Sequence, residues 1–145
     1  MRITGPWSRA EAASFMDTHP VPLRVGYHGE NGLWMVSLWF RYIEERGVIE
    51  CATGRQADMV ASLESNDEVT FEASTNDPPY KGVRGRGTVS IEADEEKERL
   101  RDLLERYLGT TESELGKKLL SPEREEVRLV IEPERLHTWD FTGRM

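Results

Sequence analysis

The sequence predicts a mainly β domain with flanking helices, built as a small antiparallel barrel of about six strands. Three observations lead there. Several stretches alternate apolar and polar residues with period two, most cleanly Lys81 to Ala93. The first five strands are joined mostly by turns, which favours antiparallel pairing. Their apolar faces can be shared only if the sheet curls over one core.

The elements follow in order. Ser8 and Glu11 make a capping box, S-x-x-E, for a short helix whose apolar face is Ala12, Ala13, Phe15 and Met16. His19-Pro20 ends it, because the residue before proline avoids helical angles. Pro22 to His28 reads as the first strand and Leu33 to Glu44 as a long second one, with Asn31-Gly32 as hairpin turn. Both faces of the second strand are apolar, which places it centrally or under a partner. Val48 to Thr53 is the third strand, and Ala57 to Glu64 a helix with Met59, Val60 and Leu63 inward.

Glu68 to Thr75 and Lys81 to Ala93 are the fourth and fifth strands, separated by the loop Asn76-Asp77-Pro78-Pro79. Asp94 caps the strongest helix, whose apolar residues are Leu100, Leu103, Leu104, Tyr107 and Leu108, and Gly109 closes it. A second short helix is expected over Glu112 to Leu120, with Thr111 and Glu114 as its capping box. Val127 to Phe141 is the last strand, with a bulge or bend at Pro133. No repeat or linker divides the chain, so 1–145 is read as one domain.

Composition narrows the function. Lys+Arg number 19 and Asp+Glu 27, a formal net charge of −8. That surface argues against a protein that holds nucleic acid by neutralising phosphates, but leaves room for a local basic pocket. The basic set is 15 Arg against 4 Lys, with 20 Glu, which fits either a salt-adapted cytoplasm or an arginine-rich genome bias. The single Cys51 excludes an internal disulfide and fits a reducing, cytoplasmic setting. The start lacks the apolar stretch of a signal peptide, and no apolar run approaches the ~20 residues of a membrane span.

Candidate chemistry is sparse. His19, His28 and His137 have no partners at ligand spacing, so no metal site is expected. Cys51 lies mid-strand and reads as a buried structural thiol. Gly82, Gly85 and Gly87 inside one strand call for a compensating feature: a barrel bend, or close approach of a ligand or another backbone. Thr53-Gly54-Arg55-Gln56, small residues ending in a cation before a helix, form a candidate phosphate cradle of hydroxyl, backbone N–H groups, guanidinium and helix dipole. Lys81, Arg84 and Arg86 line one strand.

Several stretches, in their order, resemble the FMN-binding split-barrel proteins grouped with pyridoxamine 5′-phosphate oxidase. These are Pro22-Leu23-Arg24-Val25, Leu33-Trp34-Met35-Val36-Ser37-Leu38-Trp39, Cys51-Ala52-Thr53-Gly54-Arg55-Gln56 and Pro79-Tyr80-Lys81-Gly82-Val83-Arg84-Gly85-Arg86-Gly87, closed by Trp139-Asp140-Phe141. The resemblance implies a split barrel, a homodimer and an FMN-dependent oxidoreductase with two interface flavin sites, FMN being replaceable by a deazaflavin. It implies a phosphate site at Thr53, Gly54, Arg55 and Gln56, and Met35, Val36 and Ser37 along the ring and ribityl chain. Lys81 is a further cofactor-binding candidate, and Trp139 would close the site from the partner subunit. The sequence departs from the group at Asp58 and Met59, where many members carry a lysine. Arg135-Leu136-His137 is similar to a substrate-binding Arg-Leu-His of the true oxidases, but Trp139 stands where their further arginine is expected, so vitamin B6 oxidation is not inferred. The rival reading is a non-catalytic barrel that carries flavin, deazaflavin or haem.

Overall fold

The structure is a computed structural model, and it describes residues 1–144. In chain order the elements are β1 (Arg2–Thr4), α1 (Arg9–Thr18), β2 (Leu23–Gly29), β3 (Gly32–Leu38), β4 (Phe40–Ile43), β5 (Val48–Gly54), α2 (Asp58–Ser65), β6 (Glu68–Ser74), β7 (Lys81–Ala93), α3 (Glu98–Leu108), α4 (Glu114–Leu119) and β8 (Glu126–Asp140). The strands form one sheet in the order β3-β2-β6-β7-β8-β5-β4, with β1 pairing β8 in parallel. All other ladders are antiparallel. β3 and β4 follow each other in sequence yet lie at opposite ends of this path, so the sheet curls round without closing. The result is the split barrel.

The sheet has eight strands among the described residues, not six. β1 is three residues long and exists because Arg2, Ile3 and Thr4 pair with Arg135, Leu136 and His137, a contact invisible to local pattern. The expected strand Leu33 to Glu44 is broken at Trp39. There the indole stacks on Tyr107 at 5.1 Å between ring centroids, and the Phe40 N–H donates to the Tyr107 hydroxyl at 3.2 Å. That hydroxyl donates in turn to the Val21 carbonyl at 2.8 Å. A backbone donor bound to a side chain cannot continue a ladder, so the strand changes sheet edge at this point. β3 is accordingly an edge strand, not a central one.

Local signals set the helix ends. Ser8 and Glu11 exchange both bonds of the capping box. The Asp94 carboxylate accepts from the Arg99 and Leu100 amides, capping α3 from outside its first turn, and left-handed Gly109 (φ 76°) ends it. α4 starts two residues later than expected, with Ser113 as cap instead of Thr111. The bend at Pro133 is present as a shift of register: Arg86 opposes Arg135, but Gly87 opposes Pro133.

One core fills the curl. Phe40, Met16, Leu23, Ile49, Leu129, Ile131 and Leu136 are fully buried in it. Cys51 lies there too, and burial pushes its thiol up to about 12, which fits an inert structural thiol. A charged girdle ties α3 to the sheet. The carboxylate of buried Glu50 meets Arg99 at 2.9 Å, Arg46 at 3.0 Å and Arg128 at 3.4 Å. No helix is long and apolar enough to cross a membrane.

The glycines of β7 belong to this packing. A Cβ on Gly85 would collide with the Arg135 carbonyl oxygen and come within 2.7 Å of the Phe71 ring. One on Gly87 would strike the Glu132 carbonyl oxygen, and one on Gly82 the Ala73 carbonyl oxygen. The close neighbour is therefore the chain's own adjacent strand, and ligand approach is not needed to explain these glycines.

Candidate functional site

The turn Thr53-Gly54-Arg55-Gln56 leaves the end of β5, where Thr53 opposes Val127 and Gly54 opposes Glu126. The Arg55 N–H donates to the Glu125 carbonyl at 2.9 Å, and the Ala57 N–H to the Gly54 carbonyl at 3.0 Å. α2 then starts at Asp58 with no side-chain cap. A cleft of about 350 Å³ opens beside the turn, lined by Thr53, Gly54, Arg55, Gln56, Arg124 and Glu125.

No local sequence pattern marks Arg124. Its Nε and Nη2 donate to Glu126 at 3.0 and 2.8 Å, and the Glu126 side chain is only 1% exposed. A Cβ at residue 54 would stand 3.0 Å from Arg124 Nη2, so the glycine makes room for this guanidinium. The signal lay in register: residues two positions apart on β8 and its lead-in flank the Gly54 ladder position, which requires knowing that β5 pairs β8.

These groups fit a phosphate, though differently from the expected cradle. The Arg55 amide is committed to Glu125, so it is withdrawn from any anion. What remains is the Thr53 hydroxyl, the exposed Arg55 guanidinium and Arg124 Nη1, none of them hydrogen-bonded among the described residues. Two guanidinium groups converging on one cleft suit a phosphate's oxygens. Glu126 balances part of that charge.

A second cleft, of about 290 Å³, continues from the first and shares Thr53, Gly54 and Arg124 with it. Its walls are Ser37, Leu38 and Trp39 on the sheet side and Leu103, Leu115 and Leu119 from the helices. A polar end thus runs into an apolar slot, an arrangement suited to a phosphate-bearing molecule with a flat apolar body.

The other sequence candidates do not all converge there. Ser37 lines the apolar slot. Val36 packs against the core, while Met35, 62% exposed, borders two larger clefts on the open face of the sheet. Lys81 and Trp139 lie at the opposite end of β8, where Lys81 opposes Asp140 and Gly82 opposes Trp139. Trp139 carries the Arg84 guanidinium over its ring at 4.2 Å. Within one chain neither reaches the Thr53 cleft. Among the described residues no group of three His, Cys, Asp or Glu side chains is placed to hold a metal ion.

No protein-family model matches the chain, and no curated protein sequence matches it. Solved structures do. A conserved hypothetical protein from Mycobacterium tuberculosis is similar at a TM-score of 0.72 and 23% identity, covering 93% of this chain and 86% of that one. A protein described as an F420 reductase is similar at 0.70 and 19% identity, covering 85% and 93%. A Clostridium acetobutylicum protein of the pyridoxinephosphate oxidase family, related to general stress protein 26, is similar at 0.64 and 19%, covering 92% and 89%. With the same open, mostly antiparallel sheet and flanking helices, this chain shares the split-barrel fold of the pyridoxamine 5′-phosphate oxidase-like proteins.

Proposed function

We propose that the chain is a flavin-binding protein of oxidoreductase type that works as a homodimer, with FMN as its flavin. The observation that carries this is the continuous cleft, with Arg55, Arg124 and the Thr53 hydroxyl at one end and Ser37, Trp39 and Leu115 along the other. In this reading the two arginines hold the phosphate, Thr53 donates a hydrogen bond to it, and the apolar walls orient the ring and keep water from one face. Bound flavin supplies the electron-transfer chemistry, and the protein supplies position and electrostatics. The likeness to a protein of the pyridoxinephosphate oxidase family supports the same reading.

Dimerisation is supported by β3. This edge strand exposes Leu33 at 77%, Trp34 at 67% and Met35 at 62%, a continuous apolar segment with free backbone groups. A partner subunit would cover it and bring its own Trp139 and Lys81 to the site. The single, buried thiol supports a reducing compartment such as the cytoplasm.

A deazaflavin in place of FMN is the second reading, supported by the likeness to an F420 reductase. Titration of ligand-free protein with FMN, riboflavin and coenzyme F420, followed by visible absorbance and fluorescence quenching, separates them. Tightest binding of FMN is expected. Tightest binding of the deazaflavin moves the assignment to the second reading, and binding of none of the three overturns both.

A further inference from the structure

Lys97 stands against two preferences of its own residue type. Among the described residues it is the one non-glycine residue with positive φ, at 55°, a left-handed backbone that a Cβ disfavours. It is also buried, whereas Lys117 and Lys118 are exposed and Lys81 is half-buried. It sits just before α3, where a side chain ordinarily caps the helix, yet Asp94 makes that cap and Lys97 does not. The ammonium donates instead to the Ser121 carbonyl at 2.6 Å. It makes no other hydrogen bond and no ion pair among the described residues.

That bond joins two tight turns. In Asp94-Glu95-Glu96-Lys97 the Lys97 N–H donates to the Asp94 carbonyl at 2.8 Å. In Ser121-Pro122-Glu123-Arg124 the Arg124 N–H donates to the Ser121 carbonyl at 3.0 Å, with Pro122 presetting the second position of the turn. The turns are tied at both ends, by Lys97 Nζ on the Ser121 carbonyl and by the Asp94 N–H on the Glu126 carbonyl, at 3.2 Å. The segment from Ser121 to Glu126 is thereby strapped to the residues that lead into α3.

Arg124 lies inside the strapped segment. The carbonyl that takes the Lys97 ammonium is the one that takes the Arg124 amide, so a single acceptor links Lys97 to the Arg124 backbone. From there the guanidinium passes the bare face of Gly54, and Glu126 holds its Nε and Nη2. Glu126 thus fixes the tip of the side chain, and the strap fixes its root. An arginine has many rotamers to lose, and a cleft gains affinity when that ordering precedes the anion.

We propose that Lys97 is a positioning residue for Arg124. Its ammonium holds the Ser121–Arg124 turn and so sets where the guanidinium stands in the Thr53 cleft. The preference of the cleft for a phosphorylated ligand over the same ligand without phosphate then depends on a lysine that does not line it. This rests on the reading that the cleft takes the flavin phosphate.

The test uses Lys97→Met, which keeps the apolar stem and removes the ammonium. In the ligand-free chain, hydrogen exchange of the Arg124 Nε–H, its resonance assigned by its loss in Arg124→Lys, should quicken about tenfold or more. FMN should bind about fivefold or more weakly, while riboflavin changes less than about twofold. Circular dichroism should match the native chain. Lys118→Met removes the same charge from the exposed face of α4 and should leave FMN affinity within about twofold. The loss in Lys97→Met should persist at about 1 M salt, where the Debye length is about 3 Å and a through-space charge effect is screened. A loss that vanishes in salt, an equal loss of riboflavin, or unchanged exchange of the Arg124 Nε–H would each overturn the proposal. A native preference for FMN that survives in Lys97→Met would overturn it alone and leave the phosphate reading standing. No preference for FMN over riboflavin in the native chain would overturn the phosphate reading, and the proposal with it.

Discussion

The Arg99 guanidinium lies 2.9 Å from the carboxylate of Glu50, whose side chain is only 1% exposed, and this pair pins α3 to β5. Arg128 on β8 and Arg46 in the preceding turn share the same carboxylate. The helix is thus anchored by charge at one end and by Leu100, Leu103 and Leu104 along its length.

Removing the shared anion should be costly. Glu50→Ala leaves Arg99 and Arg128 partly buried around a missing partner, and breaking a buried pair costs about 3–5 kcal/mol. Arg99 keeps Asp102 and Arg128 keeps Asp94, so the lower end, about 3 kcal/mol, is expected. Urea denaturation at neutral pH checks it, and a loss below about 1 kcal/mol would show that the girdle is dispensable.

Stability should also fall in acid through Asp102. Burial opposes its ionisation, but hydrogen bonds from Arg41 and Arg99 prevail and hold its carboxyl below the usual range. A carboxyl depressed in the folded state stabilises the fold fully above its unfolded value, near 3.9, and loses that contribution as pH falls through the folded value. Melting temperature should therefore drop below about pH 4 in the native chain. The drop should be shallower in Asp102→Asn, which starts from lower stability at pH 7. Parallel curves for the two proteins would remove Asp102 from the account.

Gly85→Ala should destabilise without any ligand present. Its methyl group must displace the Arg135 carbonyl or the Phe71 ring, and overpacking of this kind costs about 1–3 kcal/mol. Gly143→Ala, where a Cβ meets open space, is the control and should change stability little. Equal melting temperatures for the two variants would contradict the strand-packing explanation.

Arg55→Ala should discriminate between flavins. Hydrogen bonds to charged groups contribute on the order of 1.5–3 kcal/mol. FMN should lose about tenfold or more in affinity, while riboflavin, which has no phosphate, should change little. Equal losses for both would place the phosphate elsewhere.

Trp34→Glu should make the chain monomeric. The indole is 67% exposed on an edge strand, and a charge there cannot be buried against a second copy. Light scattering across a concentration series should give about twice 16.6 kDa for the native chain and 16.6 kDa for the variant. A native chain that stays monomeric at micromolar concentration would refute the dimer.

The sequence by itself determined whatever depends on near neighbours. The period-two pattern of Lys81 to Ala93, the Ser8–Glu11 capping box, the Asp94 cap, the Gly109 stop and the Pro133 irregularity all have local causes, and each is present. The turn Thr53–Gln56 before a helix was legible for the same reason. Tertiary structure alone decided the rest. β1 exists only because β8 lies beside it, and Trp39 breaks a strand only because Tyr107, far along the chain, offers a ring and a hydroxyl. Arg124 enters the Thr53 cleft only through the β5–β8 register. Spacing along a chain reports contacts a few residues apart, whereas a sheet assembled from non-consecutive strands sets its neighbours by pairing, which no local period encodes.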